Sequence, residues 1–159
     1  MGTEKPETRR GVKRIVVGVD GSPHAGAAIS WAIAMAKGMG SEVTAVYAIA
    51  PPVYVDTGMF TTGVPMQYDE TWRNDIKREL EDEWCKPLRE SGVKYRAVIE
   101  DGRAASVIAK VADDVNADVV VVGRRGRGGV AELLLGSVSH ELVLHCKRPV
   151  LVISEARDG

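Results

Sequence analysis

Several features that would settle the function of a 159-residue chain are missing from this one. It has two cysteines, Cys85 and Cys146, far apart and outside any C-x-x-C pair. Neither a disulfide framework nor a thiolate metal site is therefore expected, and both read as free thiols of a cytoplasmic protein. No apolar run approaches the ~18–20 residues of a membrane span, and no signal-peptide pattern precedes the first apolar run. Met1-Gly2 is not followed by serine or threonine where N-myristoylation needs it. The net charge of −1 excludes a protein built as a whole to embrace nucleic acid, and a single Arg-Gly-Gly is too little for an RNA-binding segment. Neither nucleic acid nor membrane is an expected partner.

Catalytic signatures are equally sparse. No glycine is followed by Lys-[Ser/Thr], so there is no Walker A loop. A haloacid-dehalogenase nucleophile would need aspartate where Gly18 stands. A receiver domain would need an acidic pair after the first strand; Asp101 could pose as its phosphorylated residue, but Asp20 stands alone. His140 and His145 differ by five positions, about 140° on a helix, and cannot share a ligand face. His24 falls in the first turn of a helix and reads as solvated. Gly126-x-Gly128-x-x-Ala131 mimics a dinucleotide fingerprint, but that motif belongs in the first βαβ unit, and the acidic Glu155 lies beyond the last strand. No Ser-His-Asp set can be placed. Dedicated catalysis is not expected.

What is present is the patterning of one globular α/β domain, with 45% apolar and 27% charged residues. A disordered tail over 1–11, a domain over 12–155 and a short tail over 156–159 are expected. The run from Lys13 to Val19 predicts a strand. Ser22 then suits an N-cap and Pro23 a first helical position. Ala28, Trp31, Ala32, Met35 and Ala36 supply the apolar face of that helix, which Gly38 and Gly40 stop. Val43–Ile49 predicts a second strand, and Pro51-Pro52 forbids its continuation. Residues 50–68 form a long connection, either a cover over a site or a surface excursion. Asp69–Glu90 predicts a charged helix with Trp72, Ile76, Leu80, Trp84 and Leu88 in one core-facing stripe, bent or ended at Pro87. The third strand, Val93–Ile99, interleaves Lys94 and Arg96 with apolar residues. A helix over Arg103–Val115 buries Val107, Ile108 and Val111. A helix over Ser137–Cys146 and a strand over Arg148–Ile153 complete the chain.

Alternating strands and helices make a Rossmann-like open parallel five-stranded sheet, with helices on both faces. The first and fourth strands are continuously apolar, as central strands are, and the third alternates like an edge. This favours the order 3-2-1-4-5 over 2-1-3-4-5. Ligands bind beyond the carboxyl ends of the strands where the order reverses, so Gly18, Val19 and Asp20 should face the loop after the fourth strand.

That loop is the chain's most informative stretch. Asp118 to Ser139 reads DVVVVGRRGRGGVAELLLGSVS: a buried strand, a glycine-rich loop with Arg124, Arg125 and Arg127, and the start of a helix. Glycine backbone aimed at a helix N-terminus and ringed by guanidinium groups makes an anion site, most often for phosphate. Gly123, Gly126, Gly128 and Gly129 are expected to turn with positive φ. Gly136 allows close approach, and Ser137 caps the helix or donates its hydroxyl. Asp20 accepts hydrogen bonds only, so it suits a ribose hydroxyl, an adenine amino group or a metal; its competing reading is an Asx turn.

Gly123-x2-Gly126-x9-Gly136-Ser137 resembles the G-2x-G-9x-G-[S/T] motif of the ATP-binding branch of the universal stress protein family. Ile15-Val-Val-Gly-Val-Asp20-Gly-Ser22 looks like the family's first strand and turn, and Arg148-Pro-Val-Leu-Val-Ile153 like its last strand. The resemblance spans Lys13 to Ile153. It implies that Asp20 and the backbone near Ala48 hold adenine and ribose, with Val122 lining the base pocket and Gly123 and Arg124 beside the ribose. Gly126, Arg127, Gly136, Ser137, Val138 and Ser139 would hold the phosphates. It also implies ATP, with Mg²⁺ carried mainly by phosphates and water, and a homodimer through Val150, Leu151 and Val152. The loop departs from the commonest pattern in its Arg-Arg and Arg-Gly-Gly. Three functions stay open: an ATP-binding stress-response regulator with slow or no hydrolysis, a sensor or buffer of AMP or cyclic AMP, and a nucleotide-independent interaction or chaperone module.

Overall fold

The computed structural model describes residues 11–50, 70–127 and 134–155. The tails, most of the 50–68 connection, Gly128 and Gly129 lie outside the described residues. Five parallel strands, β1 (Arg14–Gly18), β2 (Glu42–Ile49), β3 (Tyr95–Asp101), β4 (Val119–Gly123) and β5 (Val150–Ile153), form one sheet in the order β3-β2-β1-β4-β5. Solvation explains the order. Ile15, Val16 and Val17 of β1 and Val120 and Val121 of β4 are wholly buried, because helices cover both faces of the centre. In β3 Arg96 is exposed and the apolar residues are only half-buried, which an edge strand tolerates. Val16 faces Val120 in the register.

Helix α1 (Pro23–Met39) starts as its sequence dictates: the Ser22 side chain accepts from the Ala25 N–H at 3.2 Å, and Pro23 takes the first position. Gly40 ends it at φ 65°. Ala25, Ala28, Ile29, Ala32 and Ala36 face the sheet. Trp31, expected in that stripe, is 55% exposed. At 100° per residue it lies about 120° from the centre of the buried set, and a face of four alanines and Ile29 lets the helix sit close to β1 and β4.

The expected helix over Asp69–Glu90 is three pieces: α2 (Glu70–Glu79), a π-turn (Leu80–Trp84) and α3 (Lys86–Ser91). A stripe repeating at every fourth residue drifts by about 40° per step around an α-helix. The π-turn, closed by Cys85 N–H to the Leu80 carbonyl at 2.8 Å, restores the phase, so Leu80 and Leu88 are both buried. Pro87 neither ends nor kinks α3; it occupies the first turn, where no intrahelical N–H bond is required. Helices α1 and α3 cover one face of the sheet, and α4 (Ala104–Asp114) and α5 (Ser137–His145) the other. Cys85 and Cys146 are free thiols, and burial first, then Glu81, pushes Cys85 up to about 11. Among the described residues no helix is long and apolar enough to cross a membrane.

Asp118 ties the starts of the two central strands together. Its Oδ2 accepts from the Lys13 N–H at 2.7 Å and the Arg14 N–H at 2.9 Å. Burial pushes this carboxyl up, but those two donors, with Arg14 and Arg148 nearby, outweigh it and hold it below the ordinary 3.8. A depressed carboxylate contributes stability that is complete above its unfolded value and is lost as pH falls through the folded one. Asp118→Asn is thus expected to cost about 1–2 kcal/mol at neutral pH. The gap from wild type should close below pH 3.8. Urea titrations at pH 7 and pH 3 check this, and an undiminished gap at pH 3 contradicts it.

Candidate functional site

The strand order reverses between β1 and β4, and the residues following those strands meet there. Asp20 anchors the meeting. Its Oδ1 accepts from the Ser22 N–H at 2.9 Å, which is the Asx turn, and its Oδ2 accepts from the Arg127 N–H at 3.1 Å, across 107 positions. One carboxylate therefore shapes the entry to α1 and holds the glycine loop. Gly21, between Asp20 and Ser22, has φ 75°.

The loop glycines serve contact rather than handedness. Among the described glycines positive φ occurs at Gly21, Gly40, Gly92 and Gly102, and not at Gly123, Gly126 or Gly136. The expectation of positive φ at Gly123 and Gly126 is thereby corrected. A Cβ on Gly123 would lie 2.6 Å from the His24 carbonyl carbon, and one on Gly126 2.6 Å from Asp20 Oδ2. One on Gly136 would lie 3.2 Å from the Arg124 carbonyl oxygen. His24, expected to be solvated, is half-buried because its backbone packs against Gly123.

Gly136, not Ser137, holds the N-cap position of α5, and no side chain caps the helix. The first intrahelical bond is His140 N–H to the Gly136 carbonyl, so the N–H groups of Ser137, Val138 and Ser139 have no acceptor within the helix. They form a donor cluster at the positive end of the dipole. Ser139 is 2% exposed, and its hydroxyl lies 2.9 Å from the Arg124 carbonyl oxygen and 3.0 Å from that of Gly136. That hydroxyl braces the loop, leaving Ser139 its backbone N–H to offer a ligand.

Between these parts lies a cleft of about 410 Å³, within the range of small-molecule sites. The residues expected from sequence at Gly18, Val19, Asp20, Ala48 and Val122 line it, as do Gly123, Gly126, Arg127 and Gly136 to Ser139. Arg124 does not. Its N–H continues the β4–β5 ladder to the Ile153 carbonyl at 2.7 Å, and its Nε is buried without a hydrogen-bond partner among the described residues. Arg125, its neighbour in the bend after β4, lines the cleft instead. Val46, Tyr47, Ala104 and Ile108 also line it. Ile108 was legible as part of the buried stripe of α4; Tyr47, one residue of an apolar strand, carried no distinguishing signal. Asp20 is the single carboxylate among the described lining residues, and no described group of three or more His, Cys, Asp or Glu side chains could hold a metal.

The lining is therefore of two kinds, a helix N-terminus with arginines and the apolar side chains of Val46, Ala48, Ile108 and Val122. An open parallel sheet with such a cleft at its switch point defines the class: a Rossmann-like α/β protein with a candidate site for an anionic small molecule.

Within that class the family is shown by sequence. The model of the universal stress protein family matches residues 11–154, and the chain belongs to that family. It is 31% identical over 149 residues to universal stress protein MJ0531 of Methanocaldococcus jannaschii, covering 91% of this chain and 84% of that one. Two solved structures share the fold. One is a universal stress protein in complex with cAMP (TM-score 0.69, 22% identity, 92% of this chain and 100% of that one). The other is the universal stress protein from Archaeoglobus fulgidus in complex with dAMP (TM-score 0.64, 23% identity, 91% and 99%).

Proposed function

We propose that the cleft is an adenine-nucleotide site with ATP as its preferred occupant, and that the protein is a nucleotide-dependent regulator of the stress response. One observation carries this reading: Asp20, Gly126 and the N-terminus of α5, remote in sequence, converge on a single cleft that Val46, Ile108 and Val122 also line. Those apolar side chains suit a purine. Asp20 suits a ribose hydroxyl or the adenine amino group, once its bond to Arg127 is exchanged. Ser137, Val138 and Ser139 N–H groups, with Arg125 and Arg127, suit the phosphates. Mg²⁺ fits as an ion carried by phosphate oxygens and water, since Asp20 is the single carboxylate among the described lining residues. Asp20, the single described carboxylate of the lining, already accepts from two backbone N–H groups, so ATP is hydrolysed slowly or not at all.

The protein forms a homodimer through the edge of β5 that no described residue pairs, where Val150, Leu151 and Val152 are half-buried and paired on the other side by β4. A second reading, a sensor of AMP or cyclic AMP, draws on the relatives that carry cAMP and dAMP. Calorimetric titration of the purified protein with ATP, AMP and cyclic AMP separates the two. At least about tenfold tighter binding of ATP is expected from one further charge-assisted phosphate contact. Equal affinities for ATP and AMP would sink the triphosphate assignment.

A further inference from the structure

Arg127 belongs to two neighbourhoods. It lines the cleft, and its N–H donates to Asp20. Its guanidinium stacks over the indole of Trp84, 4.7 Å from the ring centroid, and lies 3.6 Å from the Glu79 carboxylate. Trp84 meets the ring of Tyr47 edge-on, at 5.2 Å and 66°, and Tyr47 lines the cleft. The backbone of Gly21 closes the cluster: a Cβ there would fall 2.6 Å from Trp84 Nε1 and 2.7 Å from a terminal nitrogen of Arg127. Glu79 and Trp84 are five residues apart, about 140° on an α-helix. The wider π-turn between them, with its bond from residue 85 to residue 80, lets both address one guanidinium.

Resting on the reading of the cleft as a nucleotide site, we propose that Arg127, Glu79 and Trp84 form a sensor of phosphate-chain length. Arg127 and Glu79 are both substantially exposed, at 54% and 39%. An exposed ion pair and a stacked guanidinium are weak enough for a phosphate to displace. The terminal phosphates of ATP, set against Gly126 and the N-terminus of α5, draw the Arg127 guanidinium off Glu79 and Trp84 by charge-assisted hydrogen bonds. AMP, whose chain ends at its first phosphate, leaves the stack in place. The α2–π-turn surface then differs between the ATP and AMP complexes, although both fill the same cleft. Binding is thereby converted into a signal on the outer face of the protein.

The test uses Trp84 as its own reporter. The chain has three tryptophans, so Trp31→Phe with Trp72→Phe leaves Trp84 alone. Equilibrium dialysis fixes saturating concentrations of ATP and AMP, and Trp84 emission is then read with each bound. A change with ATP and none with AMP is expected. Glu79→Gln, which removes the competing charge, should tighten ATP by about two- to fivefold and leave AMP unaltered. Equal emission in the two saturated complexes, or equal effects of Glu79→Gln on both nucleotides, overturns the sensor while the cleft assignment survives. Absence of binding in the dialysis overturns both together. Should the double substitution unfold the protein, ¹⁹F resonances of the fluorotryptophan-labelled natural chain give the same comparison.

Discussion

Gly126→Glu is expected to abolish ATP binding, with no detectable complex at concentrations that saturate the natural protein. Two effects add. Any Cβ at this position falls 2.6 Å from Asp20 Oδ2, so the carboxylate that holds Arg127 must move. The new side chain also puts a negative charge where the phosphates are assigned. Losing even two charge-assisted hydrogen bonds, at about 1.5–3 kcal/mol each, is a hundredfold or more. Because the backbone of Gly126 is exposed and does not sit at positive φ, the fold itself should survive. Circular dichroism and a thermal melt check the fold, and calorimetry checks binding. ATP still bound by a folded Gly126→Glu protein would falsify the site.

Gly123→Ala should produce a large loss of stability from one added methyl group. Its Cβ would lie 2.6 Å from the carbonyl carbon, 2.7 Å from Cβ and 2.8 Å from the carbonyl oxygen of His24. Two of those atoms are backbone, so no rotamer change relieves the clash. The first turn of α1 has to back away from the end of β4, pulling its Ser22 cap with it. Overpacking of this kind costs about 1–3 kcal/mol or more, and for a domain of this size each kcal/mol lowers Tm by roughly 2–4 °C. A drop of about 5–10 °C is the expected reading. Gly38→Ala is the control. Gly38 lies within α1 with nothing within 4 Å of an added Cβ, so alanine there should raise stability by about 0.5–1 kcal/mol. Equal melting temperatures for the two variants would contradict the packing account.

The same two glycines mark where sequence reading succeeds and where it stops. That they matter was legible, because four glycines crowd between residues 123 and 129 at a strand end. Why they matter was not. Positive φ is a local property that a motif can suggest. The need for a missing Cβ depends on what stands opposite, and His24 and Asp20 are each about a hundred positions away. The strand order was legible for the opposite reason: burial of a strand on one or two faces is written into its own residues, as in Val119–Val122 against Lys94 and Arg96. Helix faces were legible where large residues point inward, as with Val107, Ile108 and Val111. In α1 they are not, because the buried face is four alanines and Ile29 while the large Trp31 lies outside it. The π-turn was hidden in a four-residue repeat that neither a pure α-helix nor a pure π-helix satisfies. Arg124 and Arg125 could not be told apart until the β4–β5 ladder showed which one continues the strand.

The pairing of β1 with β4 has a consequence for how the protein comes into being. Residue 15 faces residue 119 and residue 17 faces residue 121, so the centre of the sheet joins segments about a hundred positions apart. During synthesis at about 5–20 residues per second, β1 waits roughly 5 to 20 seconds for its partner. In that interval β2 can cover one edge of β1, while the other, a row of unpaired N–H and C=O groups flanked by apolar side chains, stays open. Long-range parallel pairing of this kind is slow and exposed to misassociation. The cleft does not exist until that pairing is made, so a ligand there acts only on finished chains. It favours the completed fold by mass action without rescuing the partial one.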